Sequence, residues 1–178
     1  MLSDQTSRNI ADAFRRAAGA TLVREAGDPC SIVPAANPEP LAQPGSKLLL
    51  ITISSFVFRL VIIFQVSDAQ PTRDYYTGGG SRTLDETFAE MANMCCGALG
   101  RELATQFKHL AMSIPYLLEC QCMAFLDELK PRLRASYDIT ISDAARLRVT
   151  LCMCCNRQVE FAPAVIEVRH AGGELEIF

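Results

Sequence analysis

Residues 47–67, KLLLITISSFVFRLVIIFQVS, restrict the fold more than any other stretch of this chain. A run this apolar must be buried, either in a bilayer or in a protein core. A membrane-spanning helix needs about 20 consecutive apolar residues. Here Ser54, Ser55 and Arg59 interrupt the run, and β-branched and aromatic residues fill it, which favours strand over helix. Two neighbouring strands are therefore expected, apolar at nearly every position, at the centre of a sheet or with both faces covered. No membrane association is expected.

The flanking sequence supplies what covers such a sheet. Ile10, Ala13, Phe14 and Ala17 stand at i, i+3, i+4 and i+7, which predicts an amphipathic helix over residues 1–19 with Arg15 and Arg16 in solvent. This N-terminus lacks the basic start and continuous apolar core of a secretory signal, and a cytoplasmic location is expected. Residues 24–46 carry five prolines and two glycines; they read as a short strand around Cys30 to Val33 followed by a long irregular connection. Residues 67–82, SDAQPTRDYYTGGGSR, read as a polar loop with Gly78, Gly79 and Gly80 as a hinge. A phosphate cradle is disfavoured, because no Lys-Ser or Lys-Thr follows the glycines and no Gly-x-Gly-x-x-Gly spacing is present.

Later in the chain, HLAMSIPYLL suggests a strand, while Leu118, Cys122, Phe125 and Leu129 fall at helical spacing before Pro131. RASYDITIS and RLRVTLCMCC read as two strands joined at DAA, with Arg146 and Arg148 alternating against Leu147 and Val149. Residues 156–178 suggest additional C-terminal strands. A chain of 178 residues, 49% hydrophobic, is long enough for one sizeable core, and a single domain spanning 1–178 is expected. The order of elements predicts an α/β (α+β) fold: a mostly antiparallel sheet with helices packed on one face.

Acidic and basic residues nearly cancel, at a formal net charge of -3, which gives no broad electrostatic reason to bind nucleic acid. Eight cysteines raise the question of metal or disulfides. Structural zinc sites favour Cys-x-x-Cys steps, whereas Cys95 and Cys96 are adjacent, Cys120 and Cys122 are one apart, and Cys152, Cys154 and Cys155 lie along a predicted strand. Ordinary packing of small apolar residues is preferred to a metal site, with no metal and no cofactor of the chain's own expected.

The stretch that carries chemistry is TLDETFAEMANMCCGALGRELATQF, residues 83–107. On a wheel of 3.6 residues per turn, Leu84, Phe88, Met91, Ala92, Cys95, Ala98 and Leu99 gather on one side as a core-facing stripe. The opposite side carries Glu86, Glu90, Asn93, Gly97 and Gly100. Thr83 and Glu86 form a capping box, which gives Glu86 a structural task. Glycines inside a helix each cost about 1 kcal/mol relative to alanine. Three readings stay open on spacing alone: another element of the chain crosses closely at Gly97 and Gly100, a partner's backbone approaches there beside Glu90 and Asn93, or the face is simply solvated.

The string EMANMCCG, Glu90 to Gly97, resembles the Glu-x-x-Asn-Met-x-x-Gly core of the CheC/CheX/FliY chemotaxis phosphatases. Pro115 lies 22 positions after Asn93, one short of that family's usual spacing, and Glu86 occupies a position usually Asp or Ser. The chain holds one copy of the pattern, like the single-motif CheX branch. The resemblance implies a phosphatase that hydrolyses the aspartyl phosphate of a CheY-like response regulator receiver domain, the partner contributing its own Mg²⁺. It assigns catalytic roles to Glu90 and Asn93 and makes Glu86, Gly97 and Gly100 candidates for partner binding. It also implies a homodimer built by sheet pairing, which would protect exposed apolar strand edges.

An acyl phosphate already has a good leaving group, so a catalyst mainly positions water in line without repelling the phosphoryl oxygens. A neutral carboxamide suits that task, because its oxygen accepts from the water and its amide donates toward the phosphoryl group. Two alternatives remain open: a catalytically silent CheX-like binding module, and a thiol-based redox or metal sensor.

Overall fold

The computed structural model describes residues 2–36, 47–78 and 80–162. Its centre is a seven-stranded, wholly antiparallel sheet. The strands are β1 (Cys30–Pro34), β2 (Lys47–Ser54), β3 (Phe58–Val66), β4 (Ala111–Met112), β5 (Tyr116–Glu119), β6 (Leu133–Ile141) and β7 (Ala145–Cys155). Their spatial order is β1-β6-β7-β3-β2-β4, with β5 also paired to β2. Helices α1 (Asp4–Thr21), α2 (Gln70–Thr77) and α3 (Leu84–Ala104) pack on one face.

The apolar run becomes the β2–β3 hairpin, in the sheet interior as expected. Alternation along β3 sends Leu60, Ile62 and Phe64 into the core under α1 and α3, and Val61 and Ile63 into a smaller cluster on the other face. A 3-10 helix, Cys120–Leu129, covers that second face with Met123 and Leu126. From Leu60 to Gln65 both faces of β3 are thus buried, while Arg59 at its start is exposed. Each of Phe14, Phe64 and Phe88 is fully buried, a contribution of about 1.5–3 kcal/mol apiece.

Local sequence explains the other predicted elements. Ser3 caps α1 by accepting from the Thr6 amide, and Ile10, Ala13, Phe14 and Ala17 are all buried. Ser142 and Asp143 have φ of 49° and 52°, and Ala144 N–H donates to the Ile141 carbonyl. These two left-handed residues, inside the three-residue connection 142–144, give the twist that suits the β6–β7 hairpin. Opposite Asp138 in the register, Arg148 forms a two-pronged ion pair at 2.6 and 3.0 Å.

Several expectations need correction. The supposed polar loop at 67–82 contains α2, whose Tyr76 is buried against Phe88 and donates to the Leu22 carbonyl. Pro71 near the start and Gly78 in the left-handed region at the end are the local signals for that helix. Gly78 is therefore a helix cap, where an added Cβ would overlap the Arg24 guanidinium; Gly79 lies outside the described residues. The helix expected over 83–107 ends at Ala104. HLAMSIPYLL splits into β4 and β5 around Ser113–Pro115, where Ser113 bonds to both the amide and the carbonyl of Thr52.

The stripe Leu118, Cys122, Phe125 and Leu129 does not form. Phe125 is 68% exposed and Met123 and Leu126 are buried instead, because a 3-10 helix repeats every 3.0 residues rather than 3.6. The apolar strands also expose no edge, since β7 flanks β3 while β4 and β5 cover β2. The edge-protection argument for a dimer loses its premise. Of the C-terminal strands expected over 156–178, the described part shows an isolated bridge between Val159 and Leu2; residues 163–178 lie outside the described residues.

Candidate functional site

Helix α3 is held from below by Phe88, Ala92, Cys95, Cys96, Leu99 and Leu103, all buried. Phe88 stands edge-on to both Phe64 of β3 and Tyr76 of α2. Beside it, Arg16 of α1 pairs with Glu102 at 2.6 Å. With its rotation fixed on these contacts, the helix must present its opposite stripe to solvent. Glu86, Glu90 and Asn93 are exposed, and Gly97 and Gly100 are partly so. From first to last the stripe runs about 21 Å at 1.5 Å per residue.

The capping box is present in full. Glu86 N–H donates to Thr83 Oγ1 at 3.2 Å, and Thr83 N–H and its hydroxyl both donate to Glu86 Oε2 at 2.9 Å. These bonds hold the Glu86 carboxyl below its ordinary 4.5, the backbone bond contributing most. One turn on, Glu90 accepts from Arg82 at 2.6 Å, with the two side chains 60% and 69% exposed respectively. Asn93 makes no side-chain hydrogen bond among the described residues, so both ends of its carboxamide are available. Met94, 54% exposed, adds an apolar contact at the flank.

Packing among the described residues does not require these glycines. A Cβ built on Gly97 meets only Arg101 Nη1 at 3.7 Å, and one on Gly100 only Ile53 Cδ1 at 3.9 Å. Neither position has a close crossing that would require glycine. This geometry gives no internal reason for either glycine among the described residues.

Sequence reasoning missed Arg82 and Met94. Arg82 lies eight residues before Glu90 and outside the helix, so no helical spacing links them; the chain's path into the capping box brings them together. Pro115 sits in the break between β4 and β5 on the strip that edges β2. Having no N–H, proline suits such an edge break.

Among the described residues, no group of three or more His, Cys, Asp or Glu side chains could hold an ion. Burial pushes the Cys95 thiol up to about 12 and that of Cys152 to about 11, and raises Cys96 well above its usual range. These thiols behave as small apolar groups in the core. No helix among the described residues is long and apolar enough to cross a membrane.

No protein-family model matches this sequence. No curated protein matches it either. Solved structures do. The chemotaxis protein CheX from Vibrio vulnificus superposes with a TM-score of 0.59 at 15% identity, over 82% of this chain and 99% of that one. This chain has the CheX fold. A putative chemotaxis protein from Desulfovibrio vulgaris Hildenborough gives 0.58 at 14% identity, over 82% of this chain and 96% of its own. CheX from Borrelia burgdorferi, solved as a complex with CheY, BeF3 and Mg+2, gives 0.51 at 10% identity, over 83% of this chain and 97% of its own. The match extends nearly end to end in those proteins.

Proposed function

We propose that this chain is a CheX-family phosphatase that removes the aspartyl phosphate from a CheY-like receiver domain. The observation that carries the proposal is Glu90 and Asn93, one turn apart and exposed together on a helix whose other side is fixed in the core. In this mechanism Asn93 inserts toward the phosphoryl group, its carboxamide oxygen accepting from the attacking water. Being neutral, it adds no repulsion to the phosphoryl oxygens. Glu90 meets the lysine of the receiver site and sets the register of docking, exchanging Arg82 for that cation.

Gly97 and Gly100 keep the helix surface low where the partner's backbone arrives, and Glu86 borders the same stripe. The metal chemistry belongs to the receiver's own Mg²⁺, and the phosphatase contributes no ligand or cofactor. On the same proposal the protein works in the cytoplasm as a homodimer, testable by its mass in solution.

The deciding experiment mixes the protein with a phosphorylated receiver and follows loss of phosphate. Asn93→Ala should reduce turnover at least about 100-fold, the usual scale for losing a positioned catalytic group, with folding unchanged. Turnover unaffected by Asn93→Ala would sink the mechanism. Stoichiometric association without phosphate loss would establish the silent binding module instead.

A further inference from the structure

On the sheet face away from α1 and α3, a cleft of about 700 Å³ opens beside the 3-10 helix. Its floor follows from the register. Ser54, Arg59 and Cys154 stand side by side across β2, β3 and β7, and the next row on that face is Thr52, Val61 and Cys152. One wall is the β2–β3 loop with Phe56; the other is the Leu129–Arg132 strap, tied down where Cys154 Sγ donates to the Leu129 carbonyl at 3.4 Å.

The charge lining this cleft has one sign. Arg59, Lys130 and Arg132 all border it, and among the described residues no Asp or Glu does. Nearby arginines on the sheet are matched to carboxylates, as Arg134 is to Asp127 and Arg148 to Asp138. Yet among the described residues none of these three side chains makes a hydrogen bond or ion pair. Three cations bordering one cleft, with no carboxylate among its described lining residues, give it a positive potential that favours an anion. Lys130 is also held at a φ of 48°, a left-handed conformation that disfavours side chains.

The apolar part of the lining is equally specific. Leu50 and Val61 give the floor a dry patch, and the Phe56 ring stands 84% exposed at the rim. The ring stands edge-on to His109, with centroids 6.4 Å apart, and an exposed phenyl face is a stacking surface for a planar ring. The hydroxyls of Thr52 and Ser54 add hydrogen-bonding groups beside Arg59. The volume is that of a small-molecule site.

We infer that this cleft binds a nucleotide, its phosphates held by Arg59, Lys130 and Arg132 and its base stacked on Phe56. The site lies on the opposite face of the sheet from Glu90 and Asn93 and does not depend on the phosphatase proposal. Calorimetric titration of the whole protein with ADP, GDP and UDP, beside adenosine and pyrophosphate, tests it. At least one diphosphate should bind one-to-one, with adenosine and pyrophosphate each at least tenfold weaker and affinity falling as salt rises.

Arg59→Gln with Lys130→Gln should weaken binding at least tenfold, and Phe56→Ala severalfold. These residues are exposed, and an unchanged urea midpoint will show that the variants fold. Asn93→Ala should bind like the parent, separating this site from the α3 stripe. Absence of nucleotide binding, pyrophosphate binding as tightly as the nucleotides, or indifference to the double substitution would each overturn the assignment.

Discussion

Gly97→Ala should make the protein more stable and a worse phosphatase. Gly97 sits well inside the 21-residue α3, where alanine is favoured over glycine by about 0.5–1 kcal/mol. The new methyl meets one atom, Arg101 Nη1, at 3.7 Å. That is ordinary van der Waals contact with the end of a flexible side chain, so no clash offsets the gain. For a domain of this size, about 1 kcal/mol raises the melting temperature by roughly 2–4 °C. If the stripe meets the receiver, however, the same methyl stands between Asn93 and the approaching backbone. A tenfold loss in kcat/KM, about 1.4 kcal/mol, is expected. Thermal unfolding and receiver dephosphorylation measured on one preparation decide the matter. A lower melting temperature would show that glycine serves internal packing. A higher one with full activity would show that no partner touches Gly97.

Other consequences follow from the same geometry. Because the Glu86 carboxyl is held below 4.5 by Thr83, its stabilising contribution is complete above that pH and is lost as pH falls through the lowered value. The urea-midpoint gap between the parent and Glu86→Gln should therefore narrow on acidification from pH 7 to 3; a constant gap would refute the capping role. Arg82→Ala breaks an exposed pair worth about 0–1 kcal/mol. It should leave stability nearly unchanged while freeing Glu90, lowering KM for the phosphorylated receiver by about twofold to fivefold; an unchanged KM would mean that Arg82 does not compete with the partner. Iodoacetamide at pH 8 should label exposed Cys122 in the native protein and spare Cys95, Cys96 and Cys152 until unfolding. A thiol at about 12 is only about one part in 10⁴ thiolate at that pH. Native labelling of Cys95 would contradict its burial.

Legibility tracked the range of the interactions. The α3 stripe and capping box could be read because their determinants lie within a turn or two: Thr83 bonds Glu86, and Phe88 to Leu99 repeat at the helical period. The β6–β7 hairpin was equally local. Helix α2 escaped because eight residues give too little periodicity to outweigh a polar composition, and its anchor, Tyr76 on Phe88, comes from a distant element. The segment Cys120–Leu129 was misread because the 3-10 spacing depends on which face of the sheet it must cover.

By itself, the sequence determined that an apolar hairpin would lie inside a sheet and that one helix would carry Glu90, Asn93 and two glycines on a face opposed to its core stripe. Those properties depend on composition and on the period of the backbone. Only the tertiary structure decided that β4 and β5 would edge β2, that Arg82 would reach Glu90, and that among the described residues no close crossing would meet Gly97 or Gly100. Each of these depends on where separate segments meet, which is set by the packing of the whole core rather than by neighbours along the chain.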